Sequence, residues 1–109
     1  MLGSRGEEIR NRFIARTVSL DQRLAALIDG LGRPHSDVAI TEIRALGHSL
    51  AGAAGTFGFP DLSALAGSVE AEADRMRKEG STEIELLRVA SNRLLDAIRN
   101  LAVEGQQPS

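Results

Sequence analysis

The chain has 109 residues, 42% of them hydrophobic, with a formal net charge of −2. That length and apolar content suit one domain with one modest core, so neither a second folded unit nor an ATP-binding kinase domain is expected. Charges of both signs are interspersed, so there is no basic stripe for a nucleic-acid backbone, and the absence of cysteine excludes disulfides and thiolate metal sites.

The composition is rich in Ala, Leu, Glu and Arg, with three Pro, three Phe and neither Tyr nor Trp, which favours helix over strand. The expected fold class is all-α. The longest apolar stretches fall far short of the roughly 20 residues a membrane span needs, and Met1 to Arg10 lacks the apolar core of a signal peptide. A cytoplasmic protein without a membrane segment is expected.

Apolar residues recur at helical spacing from Ile9 through Phe13, Leu20, Leu24, Leu27 and Leu31, predicting one long first helix bent near Thr17 to Ser19. The run Gly30-Leu31-Gly32-Arg33-Pro34 ends it, because glycine closes a helix and proline cannot continue one. A second helix is expected from about Asp37 to Thr56, capped by Ser36 or Asp37, with Ile43, Leu46, Leu50 and Phe57 on its apolar side. Pro60 and Asp61 open a third, carrying Leu62, Leu65, Val69, Ala73 and Met76, and Lys78-Glu79-Gly80 closes it. Ser81 or Thr82 caps a fourth, marked by Ile84, Leu87, Ser91, Leu94, Ile98 and Leu101, with a core over about 7–103 and a frayed polar tail over 104–109. Four such helices with short loops pack most simply as an antiparallel up-down-up-down bundle.

The second helix carries the residue that needs explaining. At about 100° per residue, Leu46, Leu50 and Phe57 lie within roughly 20° of the direction opposite His48, so the imidazole points out of the core. Thr41, Arg44, Gly52 and Gly55 share its face, with Ala45 and Ala51 on the flank. Glycine inside a helix costs about 0.5–1 kcal/mol relative to alanine, yet Gly47, Gly52 and Gly55 occupy this one helix. Gly47 suits the approach of a neighbouring helix, whereas Gly52 and Gly55 leave a bare surface suited to a partner protein. A neutral imidazole has a ring-nitrogen lone pair able to attack phosphorus. Spacing and composition alone are equally compatible with an ordinary surface histidine. His35, beside Pro34 in a loop, reads as surface, and two histidines so far apart make no metal site.

The run His48-Ser49-Leu50-Ala51-Gly52-Ala53-Ala54-Gly55-Thr56-Phe57-Gly58-Phe59 resembles the signature of histidine phosphotransfer (HPt) domains, especially the phosphotransfer domain of chemotaxis histidine kinases. Leu62, Leu65 and Glu70 extend the resemblance into the third helix. It implies a four-helix phosphocarrier in a two-component phosphorelay. His48 would be the phosphoacceptor and would exchange with the Asp of response-regulator receiver domains. It also implies that Glu70 bonds the reactive imidazole. Two positions depart from the pattern: the family's Lys three residues after the His is Ala51, and the usual Ala before it is Gly47. Arg44, one turn earlier on the same face, is the expected substitute cation. The partner surface is expected at Thr41, Arg44, Ala45, Ala51, Gly52 and Gly55. No cofactor is expected on this chain, with Mg²⁺ on the partner receiver. The expected partners are receiver domains and a sensor or hybrid kinase, met by a monomer. An adaptor that binds a receiver or kinase without carrying phosphate, or a phosphotransfer domain excised from a chemotaxis-type kinase, are the alternative readings.

Overall fold

The computed structural model describes residues 2–80 and 83–106. Five helical segments follow one another: α1 Leu2–Val18, α2 Asp21–Asp29, α3 Ser36–Thr56, α4 Pro60–Glu79 and α5 Glu85–Gln106. The fold is all-α, a helical bundle in which α1 and α2 together form the first of four arms. Neighbour packing runs from α2 to α3, from α3 to α4, from α4 to α5, and from α5 back to both α1 and α2. The α3–α4 interface is the most extensive.

The expected bend in the first helix is a full break at Ser19 and Leu20. The Ser19 hydroxyl donates to the Arg16 carbonyl at 2.6 Å, and Leu20 N–H reaches back to Thr17 rather than a full turn. A serine side chain competing for a backbone acceptor and a tightened turn together end α1 there. Along the next loop Arg88 Nη2 donates to the Leu31 carbonyl at 3.2 Å, tying the loop to α5.

Neither Ser36 nor Asp37 caps α3. Ser36 is already its first residue, and His35 stands at the cap in the left-handed region, φ 68°, with no side-chain cap bond. Asp37 instead sits in the first turn, where its charge complements the helix dipole. α4 starts at Pro60 and ends in Gly80 at φ 62°, whose N–H bonds the Met76 carbonyl. The expected caps Ser81 and Thr82 lie outside the described residues. α5 continues through Gln106, beyond the expected core boundary at about 103, and 107–109 lie outside the described residues.

The core unites Leu24, Ile43, Leu87, Leu94 and Ile98, all fully buried, with Leu50, Val69, Ala73 and Met76 from the expected stripes. Each buried Leu or Ile contributes on the order of 1.5–3 kcal/mol. Two expected core residues fall elsewhere. Ile9 is exposed, and Phe57, 36% exposed, lies one residue past the end of α3. Gly58 follows at φ 82°, so Phe57 leaves the helical period and lays its ring on Phe13, centroids 5.1 Å apart.

Candidate functional site

Helices α3 and α4 run antiparallel, and their cross-helix contacts fall in order: Arg44 to Asp74, His48 to Glu70, and Ser63 to Ala51. Gly47 lets them come this close. A Cβ at Gly47 would stand 2.9 Å from the Ala66 carbonyl, closer than real Cβ atoms come to backbone, and a tight 3.2 Å from Glu70 N. The missing side chain thus admits the α4 backbone beside His48, as the sequence indicated.

His48 projects from this seam with its side chain 70% exposed, and its Nδ1 lies 2.7 Å from Glu70 Oε2. A carboxylate at that distance accepts from an Nδ1–H, so the proton belongs on Nδ1 and the lone pair on Nε2. Glu70, at 24% exposure, is the more enclosed partner. Arg44 Nη2 approaches the same Glu70 oxygen at 4.0 Å, while its Nε donates to Asp74 Oδ1. The bond to Asp74 and that carboxylate's charge push the Arg44 guanidinium above its ordinary value, with a smaller part from Glu70. Conversely, the same bond holds the Asp74 carboxyl below the usual carboxylate range, with the charges of Arg44, Lys78 and Arg77 assisting against desolvation.

Of the residues expected to form a contact face, Thr41, Ala45, Gly52 and Gly55 are exposed, and Arg44 and Ala51 are half-buried. A Cβ at Gly52 would meet nothing within 4 Å. Gly55 is less open than expected, because the Ser63 hydroxyl, bonded to the Ala51 carbonyl at 2.8 Å, would lie 3.4 Å from its Cβ. Gly67, one turn before Glu70, also has open space around it and carries the bare surface onto α4. Thr41 turns its hydroxyl back to the Asp37 carbonyl at 2.9 Å. His35 is exposed in its loop.

Three features went unread in the sequence. One is the role of Asp74, which stands a single turn after Glu70 and is the acceptor for Arg44. The second is Gly67. The third is an open groove of about 620 Å³ beside the His48 face, where Phe13, Leu46, Leu50 and Phe57 form an apolar floor and Arg12 and Arg16 flank it on α1. Ala45 and Ser49 line the groove as well, joining it to the His48 face.

Residues 8–104 match the family model described as Hpt domain. The chain therefore belongs to the histidine phosphotransfer domain family, whose members are phosphocarriers in phosphorelay signalling and as a class engage response regulators and kinases. Comparison with curated proteins and with solved structures returns no significant match. Among the described residues no helix is long and apolar enough to cross a membrane.

Proposed function

We propose that this chain accepts and donates a phosphoryl group at His48 Nε2, exchanging it with the aspartate of receiver domains. The observation that carries the reading is the exposed imidazole whose Nδ1 is engaged by Glu70 at 2.7 Å, which leaves Nε2 as the ring's available lone pair. In the forward step that lone pair forms an N–P bond while the acyl-phosphate P–O bond of the receiver breaks. The bonding pair leaves with the receiver's carboxylate. No proton need depart from His48, because Nε2 carries none; the resulting ring is cationic, and Glu70 opposes it through the retained Nδ1–H.

Charge neutralisation at phosphorus falls to the receiver's Mg²⁺, since phosphoryl transfer depends mainly on positioning and electrostatics. Arg44 is the nearest cation on this chain's own face, but its Nε is engaged by Asp74, so a direct role at the phosphoryl group requires it to leave that partner. The docking surface comprises Thr41, Arg44, Ala45, Ala51, Gly52 and Gly55. It extends over Gly67 on one side and across Ala45 and Ser49 into the apolar groove on the other. The chain acts as a monomeric cytoplasmic carrier, supplied by a sensor or hybrid kinase, with no ATP-dependent activity of its own.

The test is transfer from a ³²P-labelled receiver domain to wild type and to His48→Gln. Acid-labile label on wild type alone is the expected result. Label on both or on neither overturns the reading, and receiver binding without label establishes the adaptor function, to which Ala51 in place of the family's lysine lends its weight.

A further inference from the structure

Two pairs of residues spaced a helical turn apart face each other across the α3–α4 seam. Arg44 and His48 stand on α3, and Asp74 and Glu70 stand opposite them on α4. Glu70 Oε2 is contested. It lies 2.7 Å from His48 Nδ1, within hydrogen-bond range, and 4.0 Å from Arg44 Nη2, outside it. A guanidinium is the stronger donor to a carboxylate, because charge-assisted pairs, often bidentate, outcompete a bond from a neutral ring. Arg44 would therefore be expected to take Glu70 outright unless something else holds it.

We propose that Asp74 is a positioning residue: by binding Arg44 it keeps the guanidinium off Glu70, so that Glu70 stays on His48 Nδ1 and the lone pair stays on Nε2. The other acidic groups nearby on α4 do not compete for that task, since Glu72 and Glu79 are both bonded to Arg75, at 2.9 and 3.0 Å. Asp74 is suited to it electrostatically, being held ionised by Arg44 with Lys78 and Arg77 behind it. The consequence for rate rests on the reading of His48 as phosphoacceptor. The consequence for the proton's place on the ring does not.

The test measures imidazole ¹⁵N shifts of His48 in the neutral ring, together with phosphorylation by phosphoramidate, in wild type, Asp74→Ala, Asp74→Glu and Arg44→Gln/Asp74→Ala. Wild type should show the Nδ1–H tautomer. Asp74→Ala should lose that preference and take up phosphate about tenfold more slowly, the scale on which loss of an orienting partner is felt. Asp74→Glu should keep the wild-type shifts. In the double variant Glu70 has no rival, so the Nδ1–H signature should return, which a simple loss of folding would not produce. Unchanged shifts in Asp74→Ala, or a double variant no closer to wild type than the single one, overturn the proposal. Failure of wild type to take up phosphate, with the shifts still responding as described, would overturn the reading of His48 and leave the role of Asp74 standing.

Discussion

Gly47 and Gly52 stand on the same helix, yet their surroundings are opposite. A Cβ at Gly47 would press on the Ala66 carbonyl at 2.9 Å, whereas one at Gly52 would meet nothing within 4 Å. The first glycine serves the fold, because it sets how near α4 can come and so whether Glu70 reaches His48. The second serves nothing inside the bundle, and its cost to the helix has to be explained from outside. Identical residues in one element thus divide between internal packing and open surface, and only the neighbouring helix tells them apart.

Three substitutions sharpen that division. The largest effect is expected from Gly52→Leu, which places bulk on the proposed docking surface. Transfer from a labelled receiver should fall about a hundredfold, the penalty for displacing reacting groups by around 1 Å, with the circular-dichroism helix signal unchanged. Normal transfer would mean that this surface lies outside the contact. Gly47→Val should act in the reverse manner, lowering stability by about 1–3 kcal/mol as the helices are forced apart, measured by the shift of the urea midpoint. An unmoved midpoint would show that α3 and α4 part without cost. The smallest effect belongs to Gly52→Ala, which fills open space and removes a helix penalty. It should raise stability by about 0.5–1 kcal/mol, and a loss instead would place a hidden neighbour there.

Much of this was open to inspection in the chain itself. The three-four alternation from Leu87 to Leu101, and the sequence Pro60 to Gly80 with its terminal charges, correspond to α5 and α4 because helical period and end signals are local properties. His48 was found by its place opposite Leu46 and Leu50, both of which are buried. What stayed hidden depends on relations between helices. Asp74 gains its role from the register of α4 against α3, which depends on one missing side chain at Gly47 and cannot be read from periodicity. The groove depends on how α1 lies after the break at Ser19 and Leu20. Phe57 departs from the apolar stripe because the helical period stops at Thr56 and Gly58, at φ 82°, turns the chain just beyond it.

The bond between His48 and Glu70 joins groups on two different rods. Two residues of slip along an α-helix amount to about 3 Å, which stretches even a 2.7 Å contact crossing square to the rods to about 4 Å, past hydrogen-bond length. The imidazole is therefore a gauge of the register between α3 and α4: its Nδ1 meets a carboxylate only while the two rods keep their alignment.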